Sequence, residues 1–409
     1  MLIKILTRIQ SNNSRIFNSI LLLILAGGLA YSFFLGDTLR FPDEKHYHLL
    51  ASNLANGMGY TFDGIKPSAW RTPGYPIFLA FFIKLGCSIP LLRFLNFLAL
   101  GGCLVLIRSI LQLKRHSKGT PISAFLILAY PVLFYTAGTL YPQTIFTFFL
   151  VLLLRIIISP KYSYGHGAIF GFVSGILIML HPTAIFIPPL MYLWKWFPNN
   201  WKIGLPALVS VFFLSLVFAP WVYRNYQVFH AFVPLSLHGG DTLYWGNNPK
   251  TDIDAWYKSI TKDIEEETIG MTEVEENQHY RDLAIKFWVD HPKDAIKLYL
   301  KKLIHHFNHQ NKFKVQSEFN IFKSLIMFIT YYPLLALFTL RILISFKIPL
   351  GRTEILLVAL YLASALFHAI FLTRIRFRLP YDVLLITHIG IMFSLLTKRM
   401  KIQYTPEHE

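Results

Sequence analysis

The sequence predicts an all-α polytopic integral membrane protein. Of its 409 residues, 54% are hydrophobic and only 15% are charged. The apolar residues fall in long runs rather than in amphipathic stripes, which is typical of membrane-spanning helices. The net charge of +17 would suggest nucleic-acid binding in a soluble protein, but here much of the Lys and Arg lies in short loops between the apolar runs. Because orientation in a bilayer explains such loops more simply, we expect no nucleic-acid partner.

About ten apolar segments are candidates for spanning helices, although several are shorter than the roughly 20 residues that a straight span needs. The first run follows a basic start, but it is long enough to span and no clear cleavage pattern follows it, so we expect a retained first helix. In chain order the candidates are Ile16 to Leu35, Ile89 to Leu111, Pro121 to Leu140, Thr144 to Ile158, His166 to Leu180, Ala184 to Trp196, Ile203 to Val222, Ile321 to Ile344, Ile355 to Leu372 and Leu379 to Leu396.

Basic residues between these segments predict the topology. They lie at both ends of the chain and in alternate loops, and the positive-inside rule assigns all of them to the cytoplasmic side. We therefore expect a multi-pass protein of the cytoplasmic (inner) membrane with both termini inside. The set comprises Lys4, Arg8, Arg15, Lys114, Arg115, Lys118, Lys161, Lys195, Lys202, Lys347, Arg352, Lys398, Arg399 and Lys401.

Two sizeable segments then fall on the outer face of a single integral-membrane domain covering residues 1–409. The first loop contains the apolar run Pro73 to Gly86, which we interpret as interfacial or re-entrant, because a full span there would invert every later loop. The second is acidic and contains a helical stretch from Asn277 to Phe307, broken at His291-Pro292. The two outer segments are residues 36–88, with interfacial helices, and residues 223–320, a small helical unit.

The acidic pair Asp43 and Glu44 directly follows the first span, at the start of a predicted helix from Asp43 to Asn56. One interpretation is that Asp43 caps this helix, because aspartate accepts hydrogen bonds from free amides. The other is that Asp43 is a general base, while Glu44 orients the acceptor or tunes the pKa of its neighbour. Adjacent acids beside a span cost insertion energy. We therefore predict both as catalytic residues.

Histidines near these acids raise the question of a metal ion. Glu44 and His48 are four residues apart and could share an ion, but no third fixed ligand accompanies them. His305, His306 and His309 lie in what looks like an amphipathic, membrane-facing helix. We predict no metal site and no cofactor, with a divalent metal ion as the alternative.

Arg374, Arg376 and Arg378 precede the last span, where they oppose the positive-inside bias. Snorkelling to ordinary headgroups is one explanation. The other is that their guanidinium groups bind the phosphate of a lipid and stabilise it as negative charge develops. Alternate spacing turns Arg376 and Arg378 to one side if the backbone is extended. Arg224 is a further candidate for the same phosphate, although it could equally bond backbone carbonyls.

Polar and aromatic residues of the outer segments are candidates for binding a sugar. Arg71 and Tyr75 lie in WRTPGYP, and Tyr244 and Asn247 lie in LYWGNNP. Aromatic rings beside asparagine can stack on a sugar and hydrogen-bond it, but a tight turn packed against the membrane explains them almost as well. We predict these four as substrate-binding residues. The sequence has no Gly-rich phosphate loop, nucleophile elbow or Walker pattern, which argues against soluble nucleotide chemistry.

An ordered set of motifs covers nearly the whole chain: FPDEKHYHLLASNLANGMGY, WRTPGYPIFLA, APWVYRNYQVF, GGDTLYWGNNP, an HP-containing helix before KKLIHHF, and RFRLPYDVLLI. The set resembles the bacterial polyprenyl-phosphate-dependent glycosyltransferases of the GT-C fold, relatives of protein O-mannosyltransferases and of the lipid A aminoarabinose transferase. The resemblance implies that Asp43 is the catalytic base or closely tied to it, and that Arg376 and Arg378 contact the donor phosphate. Such proteins often carry an acid after the third span. Here Gln143, a poor ligand for a divalent ion, follows it, which argues against metal dependence.

These features predict an inverting hexosyl- or pentosyltransferase that moves a sugar from a polyprenyl-phosphate donor to a glycan, lipid or protein acceptor on the outer face. Asp43 would remove the acceptor proton, and Arg376 and Arg378 would hold the departing lipid phosphate. Membrane lipids are the other expected partners. A transporter or flippase of a lipid-linked sugar is the alternative, since it would bind the same phosphate, and a non-catalytic scaffold is a further one.

Overall fold

The computed structural model describes residues 13–197, 204–253, 262–310 and 321–403. Within them the backbone is helical, apart from loops and one isolated bridge between Thr61 and Pro67. Two short 3₁₀ turns, Ser117–Gly119 and Pro182–Phe186, accompany the α-helices. The helices are α1 Asn13–Leu35, α2 Pro42–Ala55, α3 Gly74–Lys84, α4 Ile89–Leu113, α5 Thr120–Leu128, α6 Pro131–Ala137, α7 Gln143–Ile157, α8 Tyr164–Leu180, α9 Ile187–Trp196, α10 Gly204–Phe229, α11 Gly239–Trp245, α12 Lys262–Glu267, α13 Glu273–Asp290, α14 Pro292–His305, α15 Ile321–Ile344, α16 Arg352–His368 and α17 Ile375–Gln403.

The described helices include several that are long and apolar enough to cross a membrane. By length and composition there are 5, namely α1, α4, α10, α15 and α17, or 6 if the bent pair α5 and α6 forms one span. This confirms a multi-pass helical membrane protein. Helices α3, α7 and α8 are also apolar but shorter, so the predicted number of about ten spans stays a prediction.

The span predicted from Pro121 to Leu140 is not one continuous helix. Helix α5 ends at Leu128, and α6 begins at Pro131 after a bend of 65°. Proline has no amide hydrogen and its ring crowds the preceding residue, so Tyr130 leaves the helical region, with φ −107° and ψ 82°. The break turns the Tyr130 hydroxyl towards Asp382, to which it donates a 2.8 Å hydrogen bond.

The last helix begins earlier than the sequence predicts. We expected it to start at Leu379, with Pro380 in its first turn, but α17 starts at Ile375 and Pro380 lies inside it. Helical backbone rotates by about 100° per residue, so Arg376 and Arg378 are roughly 200° apart and face different sides. The extended backbone that would have pointed both in one direction is absent from this described stretch.

Helix α17 occupies the centre of the bundle, since 83% of its apolar window is buried. Close packing elsewhere depends on small residues. Helices α8 and α10 approach so closely that a Cβ on Gly171 would lie 2.0 Å from the Ser210 carbonyl oxygen, and Gly167 meets Pro206 in the same way. Glycines one turn apart at a helix interface are typical of membrane helices, where close backbone packing replaces the hydrophobic effect as the driving force.

The basic loops that were predicted to share one side of the membrane contact one another, and we call this end of the bundle the basic end. Each long side chain donates to a backbone carbonyl of another loop, which ties the helix ends together. Lys4, Arg8 and Lys202 lie outside the described residues. The contacts are Lys114 Nζ to Ile158 O at 3.0 Å, Lys195 Nζ to Ser159 O at 2.6 Å, Arg352 Nη2 to Trp194 O at 3.0 Å and Lys398 Nζ to Arg115 O at 2.8 Å.

The predicted helices of the two loop segments are present. Helix α2 matches the predicted helix, α3 is too short for a straight span, and α13 and α14 are separated at His291, as the following proline predicts. Lys302 joins α14 to the bundle. This side chain is 1% exposed, and its Nζ donates to Gly246 O at 2.8 Å, Asn247 Oδ1 at 2.9 Å and Phe371 O at 3.1 Å.

Candidate active site

The start of α2 is held by Glu44, which is completely buried. Its Oε2 accepts hydrogen bonds from the backbone amides of Arg40 at 2.8 Å and Phe41 at 3.0 Å, and its Oε1 accepts from Leu140 at 3.0 Å. A glutamate at the third helical position commonly satisfies free amides in this way. Glu44 thus performs the capping that was one interpretation of Asp43, and its predicted catalytic role stays a prediction.

We expect the substitution Glu44→Gln to lower stability. Glutamine offers one carbonyl oxygen, and its NH₂ group would face an amide that needs an acceptor, so the loss is about 1–3 kcal/mol in the free energy of unfolding. Thermal unfolding in detergent measures it. Glu275→Gln is the matched control, because Glu275 caps α13 in the same way at an exposed site. A normal melting temperature with lost turnover would instead support the predicted catalytic role of Glu44.

Capping by Glu44 leaves Asp43 available for other partners. Its Oδ1 lies 2.5 Å from Nη2 of Arg71, and its Oδ2 lies 2.5 Å from Nη1 of Arg376. The three side chains come from α2, from the loop before α3 and from the first turn of α17. They remain partly accessible, with 20% of Asp43, 12% of Arg71 and 36% of Arg376 exposed. We call these three residues the charged triad.

The charged triad carries an excess positive charge. Burial by itself would raise the pKa of Asp43, but Arg376 and then Arg71 outweigh it and hold the pKa well below its usual range. Asp43 is therefore ionised at neutral pH. Two guanidinium groups share this single carboxylate, so the triad can accept one further negative charge, and both arginines present the fork geometry that suits phosphate oxygens.

Aromatic rings hold the two arginines in place. The guanidinium carbon of Arg71 lies 4.5 Å from the ring centroid of Trp70 and 5.3 Å from that of Tyr47. That of Arg376 lies 5.4 Å from Tyr141 and 5.1 Å from Phe377. Such cation–π contacts fix the orientation of a guanidinium group without using its hydrogen-bond donors. The cation–π contacts therefore leave for an anion those guanidinium donors that do not face Asp43.

A second acidic group adjoins the triad, and the sequence analysis did not identify it. Asp241 Oδ2 accepts from Trp70 Nε1 at 3.1 Å and lies 2.6 Å from His238 Nδ1. The His238 ring centroid is 4.3 Å from that of Trp70, and Trp70 also packs on Arg71. The signal that the sequence offers is a histidine three residues before an aspartate in a turn-rich stretch.

A narrow cleft opens beside Arg376, where α7, α8, α16 and α17 have their ends. Its free volume is about 10 Å³, which is room for about one water molecule. The helix ends that form it were predicted to lie on the same side of the membrane as Asp43. We call it the triad cleft; the lining residues are Pro142, Gln143, Phe146, His181, Thr183, His368, Arg376, Phe377, Pro380 and Tyr381.

Arg378 does not join the triad. It is 1% exposed, its Nε lies 3.1 Å from Asp382 Oδ1, and its Nη1 donates to His306 O at 2.9 Å and Asn308 O at 2.6 Å. The reason is the helical backbone, which turns Arg378 into the bundle while Arg376 faces Asp43. The predicted pairing of Arg376 and Arg378 on one phosphate is therefore not the arrangement in this structure.

Arg224 bonds backbone carbonyls, which was the alternative to phosphate binding that the sequence allowed. Its Nη1 donates to Ser68 O at 2.9 Å and its Nη2 to Tyr60 O at 3.2 Å. These bonds fasten the loop before α3 to the end of α10. The side chain thus stabilises the loop that carries Arg71, and its contacts do not include the charged triad.

Three of the four predicted substrate-binding residues contact other parts of the protein and lie outside the charged triad. Tyr75 is completely buried and packs edge-on against Tyr47, with centroids 5.3 Å apart. Tyr244 packs against Tyr280 at 5.5 Å. Asn247 is also completely buried and donates to Ile370 O at 2.9 Å. Only Arg71 lies in the charged triad.

The oxygens of Asp43 and Glu44 already have partners in this structure. Within the described part of the chain, no three His, Cys, Asp or Glu side chains converge. Both oxygens of Asp43 face guanidinium groups, which would repel a cation, and both oxygens of Glu44 accept backbone amides. Ions such as Mg²⁺ and Ca²⁺ need several free oxygen ligands.

No protein-family model and no curated protein sequence matches the chain. Among solved structures, it is similar to ArnT from Cupriavidus metallidurans bound to undecaprenyl phosphate, with a TM-score of 0.54 and 12% identity over 92% of this chain and 60% of that one. Further matches are the oligosaccharyltransferase AglB from Archaeoglobus fulgidus with an inhibitory peptide and a dolichol-phosphate (TM-score 0.49, 13% identity, 95% and 52% covered) and ArnT in the apo state (0.42, 15%, 90% and 77%). The chain thus spans about 60% of the length of the first structure. The likeness to it shows the fold and confirms the predicted GT-C architecture.

Proposed function

We propose that this protein is a membrane glycosyltransferase that takes a hexose or pentose from a polyprenyl-phosphate donor and passes it to an acceptor on the outer face of the cytoplasmic membrane. The observation that carries the proposal is the charged triad: one carboxylate between two guanidinium groups, in a chain with the GT-C fold. Glycosyl transfer from a phosphate leaving group needs a base that takes the acceptor proton and positive charge that stabilises the phosphate. The charged triad can supply both. The acceptor is a glycan, a lipid or a protein.

The donor phosphate binds by competing with Asp43 for the arginines. A sugar phosphodiester carries one negative charge, so phosphate and carboxylate together balance Arg71 and Arg376. Arg376 is the more exposed of the two, with 36% of its side chain accessible, and it moves from Asp43 to the phosphate. As the bond between the anomeric carbon and the phosphate oxygen breaks, its electron pair passes to the phosphate, and the guanidinium groups stabilise the added charge.

When Arg376 moves away from Asp43, the carboxylate becomes a stronger base. With one guanidinium group removed, the pKa of the carboxylate rises towards its usual value, so it accepts a proton more readily. Asp43 takes the proton of the acceptor hydroxyl or amine while the acceptor attacks the anomeric carbon from the face opposite the phosphate, which inverts its configuration. The base contributes about 10²- to 10⁴-fold to the rate, and positioning contributes much of the rest.

We propose that the reaction needs no metal ion, because Arg71 and Arg376 supply the positive charge at the phosphate. Purified protein in liposomes tests the proposal, with undecaprenyl-phosphate-linked radiolabelled hexoses as donors, membranes from cells lacking the protein as the acceptor source, and EDTA throughout. We expect label to pass into a new covalent product in EDTA. Mass analysis of glycolipids and surface glycans from cells with and without the protein identifies that product.

The same liposomes separate the enzyme from a transporter or flippase. Movement of the labelled lipid between leaflets, with no new covalent product, would reject the glycosyltransferase and support the transporter. A requirement for added divalent metal would leave glycosyl transfer standing and reject the metal-independent form.

A further inference from the structure

The triad cleft contains polar atoms that have no partner within the described residues. The side-chain Oε1 of Gln143 and the hydroxyl group of Tyr381 are both buried and form no hydrogen bond in this structure. The two residues are 6% and 1% exposed. Buried polar groups are nearly always paired, because an unpaired one forfeits its bonds to water. Two such groups lining one cleft point to a ligand that supplies their partners.

A hydrogen-bond chain orients a third group towards the same cleft. His368 Nδ1 lies 2.7 Å from the Ser364 carbonyl oxygen, which only accepts, so Nδ1 carries the proton. In the neutral ring, His368 Nε2 then accepts from the Thr183 hydroxyl at 3.2 Å, and Thr183 Oγ1 accepts from His181 Nδ1 at 2.7 Å. His181 Nε2 is left as an acceptor. Burial lowers the pKa of His181 to about 3, which keeps this ring neutral.

The charge of the cleft is as informative as its hydrogen-bonding groups. No Asp or Glu is among the residues that line it, and Arg376 at its mouth is the formally charged one. A hydroxyl group can donate to Gln143 Oε1 or His181 Nε2 at no cost in charge. A protonated amine would enter beside Arg376 with no carboxylate in the lining to neutralise it, which is unfavourable in a desolvated site.

We infer that the triad cleft is the subsite for the donor sugar, and that this sugar is a single neutral, hydroxyl-bearing ring rather than an amino sugar. The inference rests on the proposed function: Arg376 holds the phosphate at the mouth, and the ring points inwards to Gln143, His181 and Tyr381. A hexose or pentose donor, as proposed above, presents one ring to these groups. The present space is water-sized, so the side chains that line the cleft must move apart for the ring to enter.

Binding of three kinds of probe to the purified full chain in nanodiscs tests the inference. The probes are undecaprenyl phosphate alone, its adducts with glucose, galactose and mannose, and its adduct with 4-amino-4-deoxyarabinose, measured by native mass spectrometry. We expect at least one neutral adduct to bind about tenfold more tightly than undecaprenyl phosphate, and the amino-sugar adduct to bind no more tightly than the unglycosylated lipid.

Variants identify the groups that bind the sugar. Gln143→Ala and Tyr381→Phe are each expected to reduce affinity for the neutral adduct about 3- to 10-fold and to leave undecaprenyl phosphate affinity unchanged. Gln143→Glu should gain affinity for the amino-sugar adduct. Since the Tyr381 hydroxyl has no partner now, Tyr381→Phe should not lower the melting temperature. Ser174→Ala is the matched control, because Ser174 Oγ is likewise buried and unpaired but does not line the cleft.

The possible results distinguish the two proposals. If undecaprenyl phosphate itself does not bind, the proposed function fails, and the subsite inference fails with it. If it binds but no neutral adduct binds more tightly, or if the amino-sugar adduct binds best, the subsite inference is overturned and the proposed function stands. Equal weakening of the unglycosylated and neutral-sugar lipids by Gln143→Ala also overturns the inference, because it indicates general disturbance of the site.

Discussion

Replacing Asp43 with asparagine is expected to reduce glycosyl transfer by about 10²- to 10⁴-fold, the usual contribution of a general base. Asparagine keeps the size of the side chain but cannot accept the acceptor proton. Donor binding should be unchanged or tighter, because the neutral amide competes less strongly with phosphate for Arg71 and Arg376. Turnover and donor affinity, measured on the same preparation, test both parts of the expectation.

Asp43→Glu is the control, since it keeps the charge but moves the carboxylate, and it should retain part of the activity. Near-normal turnover of the asparagine variant would reject Asp43 as the base. The pair formed by His238 and Asp241, at a distance of 2.6 Å, would then be the next candidate for that role.

The lowered pKa of Asp43 also defines how the charged triad responds to pH. A carboxylate with a pKa below its unfolded value adds stability that is fully present above the unfolded pKa, about 3.9, and is lost as the pH falls through the folded-state pKa. The charged triad therefore persists across the neutral range. In the proposed mechanism the triad is therefore disrupted by binding of the donor phosphate, since protonation of Asp43 does not occur at neutral pH.

Substitutions of Arg376 and Arg378, which are only two residues apart, are expected to have different effects: the first on donor binding and the second on stability. Arg376→Ala should weaken undecaprenyl phosphate binding at least tenfold with little loss of stability, because its side chain is 36% exposed. Arg378→Met should leave the buried Asp382 carboxylate without its cationic partner and cost about 3–5 kcal/mol of stability. Donor affinity and thermal unfolding in detergent, measured for both variants, separate the two effects.

Two further variants sharpen this comparison. Arg376→Lys keeps the charge but loses the fork, so it should bind the phosphate more weakly than the wild type. Arg378→Met combined with Asp382→Leu removes both buried charges and should recover most of the lost stability. If Arg378→Met weakened donor binding but left the melting temperature unchanged, the result would support the prediction from the sequence that Arg378 binds the donor phosphate.

Much of the architecture could be predicted because it depends on local composition. Long apolar runs can only be satisfied as helices in a bilayer, and the basic loops between them predicted which helix ends share a side. Those loops do meet at the basic end. The break at Tyr130-Pro131 could also have been predicted, because proline restricts the backbone of the residue before it. The prediction of one span from Pro121 to Leu140 did not include this break.

The site was predicted only in part, for a geometric reason. A sequence shows that Arg376 and Arg378 are two apart, but their directions depend on whether the backbone is helical or extended. Likewise, Asp43 and Glu44 are neighbours with the same functional group. One carboxylate faces two guanidinium groups and the other three backbone amides, and that difference arises from residues up to 333 positions away.

Composition and loop charge by themselves determined that this chain is a helical membrane protein with an acid and arginines at matching helix ends, because solvation by lipid acts on each segment separately. Only the tertiary structure decided which acid meets which arginine, and that Gln143, His181 and Tyr381 line one cleft, since such contacts join residues that the chain separates by up to 333 positions. Partial burial then gives those contacts their strength, because charges and hydrogen bonds act more strongly where water is excluded.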